Sequence, residues 1–405
     1  MEYDCDIAIV GGGLNGPALA LAAAQCGLRV IVLDAAPNIP RKNSKFDGRA
    51  YALALASKRL MAAINVWEAV AKTAEPMLNI RVTDGRAGAG ASPFFMDFDH
   101  AELEEGPMGY MVEDRHLRYA LHAEMQATAH IDYRRANRVV AQTTGPTGAR
   151  LTLADNQQIT ARLLVGADGR QSGTAARAGI TYTGWQYAQT ALVCAVEHAQ
   201  PHGGVAHQFF MPPGPLAILP LSDQRSAVVW SEQTDSAAMI NTLDDAAYLD
   251  VLRPRFGDFL GDISLVGARF SYPLGMMIAK SYIAPNVVLI GDAAHGVHPI
   301  AGQGLNAGLR DVAALIQVVS EAKQRGEDFA SQQVLARYQQ WRRFDATALA
   351  VATDGFNRLF SNDNPILRLG RNLGMGLVNT LPGVRRSILR EAAGLTGELP
   401  ALMRE

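Results

Sequence analysis

Cys5 to Val10 is a mostly apolar hexapeptide that runs directly into Gly11, Gly12, Gly13, Leu14, Asn15 and Gly16, and then into an alanine-rich stretch reaching about Gln25. A buried strand, a glycine turn and a helix in that order are the pattern of a dinucleotide-binding α/β unit. Gly11 can make the tight turn, Gly13 lets backbone approach a pyrophosphate, and Gly16 permits close packing of helix on sheet. Val30 to Leu33 supplies a second strand, and Asp34 closes it about 18 residues after the last glycine, near the spacing of a ribose-binding acid. These residues point to a dinucleotide with adenosine at Asp34. They do not separate FAD from NAD.

Two later segments repeat the theme. Val287 to Ile290 is a short β-branched and aliphatic run that leaves the sheet at Gly291 and Asp292. An acid at that end of a strand faces the crevice of an α/β sheet and can accept hydrogen bonds from ribityl or ribose hydroxyls. Gly302, Gln303 and Gly304 then precede a helical pattern through Leu305, Leu309, Val312 and Leu315. The unpaired N–H groups of such a helix start suit the electron-rich pyrimidine edge of a reduced isoalloxazine. In the middle of the chain, Leu163 to Val165 reads as another buried strand, followed by Asp168 and Gly169, with a helix starting around Ser172. An Asx turn explains this last segment equally well by itself.

The 405 residues are 48% hydrophobic, enough for a sizeable core and two domains. With 37 basic and 39 acidic residues, the net charge of -2 gives no footprint for nucleic acid. Cys5, Cys26 and Cys194 are widely spaced and odd in number, which fits free thiols in a reducing compartment. The strand at the N-terminus leaves no room for a targeting signal, and no apolar run approaches bilayer-spanning length. The expectation is a cytoplasmic protein, at most peripheral to the inner face of a membrane.

The three glycine-centred segments, with GADG in the middle and GDAAH followed by HPIAGQGLNAGLRD near the end, resemble the FAD-dependent aromatic hydroxylases typified by para-hydroxybenzoate hydroxylase. Within that group His298, Pro299, Gly302, Gln303, Gly304, Asn306, Gly308 and Asp311 resemble the signature of the ubiquinone-biosynthesis monooxygenases, and the likeness covers nearly the whole chain. DGRAYALALAS and VEDRHLRYAL agree, placing Arg49 and Arg115 where that family has arginines near FAD; the local register of the first segment departs from the family's pattern around Ala54 to Ser57.

The resemblance implies an α/β fold (α+β overall): a doubly wound FAD domain from residues 1–75, 100–180 and 270–345, a smaller β-sheet substrate domain from 76–99 and 181–269, and a C-terminal helical region, 346–405. Strands near 78–84, 93–98, 190–197, 205–211 and 224–231 are expected for the smaller domain. FAD would be held by Gly11, Gly13, Leu14, Asn15, Gly16, Asp34, Arg49, Arg115, Val139, Asp168, Asp292, Gly304, Leu305 and Asn306. Pro299 would orient the substrate through its backbone. Phe209, Phe210, Met211, Leu216, Ile218 and Leu219 are candidate pocket residues, although core packing explains each of them as readily.

The implied reaction is hydroxylation of a polyprenylated phenol or benzoquinol intermediate of ubiquinone synthesis, with O2 activated at flavin carbon 4a and electrons from NAD(P)H or a protein reductant. A flavin hydroxylase of a soluble phenol and a non-catalytic FAD subunit of a biosynthetic complex stay open, while an NAD dehydrogenase leaves the two later segments unexplained. His207 and Tyr272 are candidate proton acceptors. His295 and His298 are three apart, but no third metal ligand stands near them. Two apolar stretches with arginines, Ile366 to Val378 and Val384 to Arg390, are candidates for contact with a membrane surface or a biosynthetic complex, against the plainer reading of helices packed on the FAD domain.

Overall fold

The computed structural model describes residues 3–37, 44–88, 90–145, 147–296, 302–360 and 381–405. Its first sheet runs Ile283–Ala284, Val287–Leu289, Gln158–Gly166, Cys5–Val10, Val30–Leu33, Ile131–Arg134, the four inner strands being those expected from the sequence and the two edge strands additional to them. The four inner junctions, from Val287–Leu289 across to Ile131–Arg134, are parallel. An antiparallel pair, Val139–Gly145 and Gly148–Leu153, extends from Gln158–Gly166. The helix Asn15–Gln25 buries every residue from Gly16 to Ala24, and its small side chains let the helix Gln303–Gln324 lie close against it. Strand residues such as Ile7, Ile9, Val32, Leu163 and Val165 are wholly buried, as parallel strands covered on both faces must be.

A second sheet of eight strands runs His295–Gly296, Ile263–Ala279, Tyr182–His198, Arg225–Gln233, Gly214–Leu221, Val205–Met211, Asn79–Arg86, Gly90–Asp99. All five strands expected from the sequence are in it. Gly214–Leu221 and the 17-residue Ile263–Ala279 were not foreseen. Helices Thr234–Asn241 and Asp245–Phe256 pack on one face of this sheet. The other face meets a small third sheet, Ala50–Ala54, Gly109–Glu113 and Glu75–Met77, through Met77, Met111, Ala195, Ala206, Leu221 and Ala227. The architecture is therefore mixed α/β with a doubly wound core.

Candidate functional site

The N-terminal turn is shaped by its glycines. Gly11 has φ of +120°, and a Cβ there would lie 2.2 Å from the Ala167 carbonyl oxygen; on Gly16 it would lie 2.0 Å from that of Gly11. Over Gly13 the space is open, with no atom within 4 Å of a Cβ position. The helix begins after Leu14 without a side-chain cap, so its first N–H groups are available to a ligand. Asp34 stands beside this turn. Its Oδ2 accepts the Tyr133 hydroxyl at 2.9 Å and its Oδ1 accepts the Ala36 N–H at 3.0 Å. Val139 is buried against Val10, Ile31 and Leu33 on the same side of the sheet.

The middle segment returns to the same place, because the Ala167 N–H donates to the Val10 carbonyl at 2.8 Å. Asp168 accepts the Ser172 hydroxyl and both the N–H and hydroxyl of Thr174, each of the latter at 2.9 Å. These bonds fix the start of the helix Gly173–Arg177, the local role an Asx turn would give it. Asp292, at the end of the third segment, is half exposed and lies 3.4 Å from Arg170.

Asn15 closes the first segment on the third. A Cβ on Gly291 or on Gly308 would each come within 2.3 Å of Asn15 Nδ2, so both glycines make room for this amide. The helix Gln303–Gln324 then starts at Gly302, with φ of +64° and no side-chain cap, and the space over Gly304 is open. Leu305 is half-buried at that start. Asn306 faces the protein: its amide accepts the Ala54 N–H at 2.9 Å and donates to the carbonyls of Ala52 at 2.8 Å and Gly302 at 3.0 Å. It clasps the strand Ala50–Ala54 to the helix start.

The two expected arginines sit in one charged cluster around the third sheet. Arg49 is paired with Asp47 at 2.6 Å and lies over Phe270, with its guanidinium pushed above its ordinary pKa by the bond to Asp47. Arg115 donates to Glu113 and to the Ser44 carbonyl, both at 2.6 Å. Arg115 and Arg225 flank the ring of Phe46. Glu113 and Tyr133 were not singled out from the sequence, since neither stands in a glycine motif; only the fold reveals them, Glu113 by its pairing with Arg225 across two sheets and Tyr133 by its bond to Asp34 from the neighbouring strand.

The pocket residues need correction. Phe209, Met211, Leu216 and Ile218 are buried with Tyr248, Leu249, Leu252 and Phe256 under the two covering helices, on the face turned away from the third sheet. Strand side chains alternate, so the face toward the third sheet carries the intervening residues, Phe210, Ala217 and Leu219 among them. His207 lies in register with Ile218 and its ring centroid is 4.4 Å from that of Phe259, so it too belongs to the helix-covered side. Burial, aided by Arg81, lowers its pKa to about 4. Tyr272 is exposed and stacked beside Phe270. His295 is bonded to Asp311 at 2.6 Å, while His298 and Pro299 lie outside the described residues.

The residues present fit FAD on three observations. Two helix starts at the same crevice lack side-chain caps. Gly13 and Gly304 leave open space beside them. The buried Asn15 Oδ1 has no hydrogen-bond partner among the described residues, an acceptor that a ligand donor would satisfy.

Comparison with known proteins agrees with this geometry. The family described as "FAD binding domain" matches residues 4–353. Ubiquinone hydroxylase UbiL of Rhodospirillum rubrum is 42% identical, over 98% of this chain and 92% of that protein. The 3-demethoxyubiquinol 3-hydroxylase of Escherichia coli is 36% identical, over 96% and 98% respectively. Among solved structures, p-nitrophenol 4-monooxygenase PnpA of Pseudomonas putida shares the fold with a TM-score of 0.82 at 20% identity, over 98% of this chain and 100% of that one. The chain belongs to the FAD-binding family and is an FAD-dependent aromatic monooxygenase.

Proposed function

We propose that this protein hydroxylates the aromatic ring of a polyprenylated phenol or benzoquinol intermediate of ubiquinone biosynthesis, with O2 as oxygen source and NAD(P)H or a protein reductant as electron donor. The observation that carries this is likeness along almost the whole chain, second sheet included, to relatives named for ubiquinone hydroxylation. Bound FAD supplies the electron storage and oxygen activation. The chain's own residues bind, orient and exclude water. Gly11, its own N–H donated to the Leu33 carbonyl at 2.9 Å, shapes the turn, the amides at Gly13, Leu14, Asn15 and Gly16 take the pyrophosphate, and Asp34 accepts the ribose hydroxyls. Arg49, Arg115, Val139, Asp168 and Asp292 complete the FAD contacts, and the helix start at Gly304, Leu305 and Asn306 directs N–H groups at the flavin ring. Pro299 orients the substrate through its backbone.

The face of the second sheet bearing Phe210, Ala217 and Leu219 roofs the substrate in this reading, in place of Phe209, Met211 and Ile218. The division into an FAD domain of 1–75, 100–180 and 270–345, a sheet domain of 76–99 and 181–269, and a C-terminal region of 346–405 goes with it. The strand Tyr182–His198 starts at the 180/181 boundary, whereas Ile263–Ala279 runs continuously across the one at 269/270.

The C-terminal region is our candidate for contact with the inner face of a membrane or with a biosynthetic complex. Ile366 to Val378 lies outside the described residues. In the helix Pro382–Ala392, Leu381, Val384 and Ile388 at the start and along one side are exposed, whereas Arg385 and Arg390 pair with Glu102 and Glu105. No helix among the described residues is long and apolar enough to cross a membrane.

Deleting the gene and identifying the accumulated precursor by mass spectrometry tests the function. A prenylated phenol lacking one oxygen, cleared by restoring the intact protein, is expected. Unchanged quinone would sink the proposal and favour a soluble phenol.

A further inference from the structure

Asp311 is fully buried in the helix Gln303–Gln324 and gathers three donors from two other parts of the chain. Its Oδ2 accepts the His295 Nε2–H at 2.6 Å and the Gly291 N–H at 2.9 Å, and its Oδ1 accepts the Arg342 Nε–H at 2.7 Å. Arg342, itself buried, donates onward to Asp345 at 2.7 Å. Burial opposes the charge on Asp311, but His295 and Arg342 outweigh it and hold the carboxyl below its usual range. A charge so placed is tolerated only because each partner is aligned, and shifting one partner disturbs the others.

The partners are not scattered at random. Gly291, in the left-handed region with φ of +58°, immediately precedes Asp292. His295 belongs to the two-residue strand that pairs with Met277 and Ile278 at the edge of the second sheet. Asp311 stands two turns into the helix whose first residues include Gly304 and Asn306. One carboxylate thus fixes the Asp292 turn, the helix start and the edge of the second sheet relative to one another.

We propose that Asp311, acting through His295 and the Gly291 N–H, is a positioning residue that aligns Asp292 and the start of the helix Gln303–Gln324 on the FAD and so sets its redox behaviour. This rests on the reading above, in which Asp292 and that helix start face the cofactor. An N–H array aimed at a flavin favours the reduced, anionic ring only while its alignment is held.

The test uses purified holoenzyme. Asp311→Asn is the direct change but strikes a fully buried network, so His295→Gln is the working variant and Tyr338→Phe the control. The control loses the Tyr338 hydroxyl bond to the Leu289 carbonyl, behind the same strand, without removing a donor to Asp311. Three quantities are read: the midpoint potential of bound FAD, the dissociation constant for FAD, and the share of donor electrons appearing as hydrogen peroxide. His295→Gln is expected to lower the potential, weaken FAD binding roughly tenfold, as one lost charge-assisted bond would, and raise the peroxide share several-fold. Tyr338→Phe should lower the melting temperature and leave the potential alone. An unchanged potential in His295→Gln, or an equal shift in Tyr338→Phe, overturns the inference. Asp292→Asn separates the layers: if it binds FAD as tightly as the wild type, the site reading itself fails, whereas weakened binding there beside an unmoved potential in His295→Gln removes the positioning role alone.

Discussion

Glu113 and Arg225 meet at 2.8 Å where the three-stranded sheet abuts the second sheet, and both side chains are almost completely buried. The other oxygen of Glu113 holds Arg115 at 2.6 Å, so one carboxylate ties an arginine of the proposed FAD site to the sheet that would cover the substrate. Glu113→Gln leaves two guanidinium groups with a weakened partner, one of them buried. It should lower stability by about 3 kcal/mol in urea unfolding, the scale for breaking a buried pair. A loss within experimental error would show that the junction is held by its apolar contacts alone.

Gly16 and Gly13 should respond oppositely to alanine. At Gly16 the added methyl collides with backbone at 2.0 Å, while at Gly13 it meets nothing within 4 Å. Gly16→Ala should therefore melt well below wild type even without cofactor. Gly13→Ala should keep the melting temperature of the apoprotein and bind FAD more weakly, because the methyl occupies the place a pyrophosphate would take. Paired melting curves with FAD titrations decide it; equal FAD affinity in Gly13→Ala would remove that turn from the cofactor site.

His207 and His122 give the fold an acid sensitivity. Burial lowers both to about 4 in the folded protein, against 6.5 for an ordinary histidine. Their folded values are depressed, so the unfolded chain takes up protons first. The stability that they withhold from unfolding is complete above about pH 6.5 and drains away as the pH falls toward 4. Each histidine accounts for about 3 kcal/mol over that interval. His207→Leu should flatten the fall, as measured by denaturant midpoints at pH 7 and pH 4.5, and an identical pH dependence in the variant would contradict the assignment.

Asn306 offers a local readout. Replacing it with alanine strips the Ala54 N–H and the Ala52 carbonyl of their partner, at a cost of about 1–3 kcal/mol for each group left unsatisfied. Hydrogen exchange at Ala54 should accelerate in Asn306→Ala ahead of its strand partner Gly109. Unchanged exchange there would mean that the strand is secured from its other edge.

The doubly wound sheet was legible because its cues are local. A hydrophobic run, glycines at fixed offsets and an acid at the strand's end sit within one stretch of chain, and each inner strand of the first sheet read this way appears where expected. The face of the second sheet was not legible. Strands such as Val205–Met211 are buried on both sides, so their sequence, VAHQFFM, carries no alternation to show which residues meet the helices. Ile263–Ala279 does not read as a strand in the sequence because six of its 17 residues are exposed and Gly267 and Pro273 interrupt the β-forming run. Asp311 had a signal that was noticed only as part of a motif: it is an acid among buried aliphatic residues of one helix, which demands partners that only the folded chain discloses.

The order of strands in the first sheet also dictates a timetable. Cys5–Val10 lies at the centre, but its neighbour Gln158–Gly166 is made much later, and the partner of that strand, Val287–Leu289, later still. Asn15 packs against Gly291 and Gly308, which are made more than 270 residues after it. The cradle for the cofactor therefore does not exist on a growing chain. Cofactor capture waits until the chain through Gly308 has been made, and until then the earlier strands wait with open edges, exposed to wrong pairing and to whatever guards nascent chains against it.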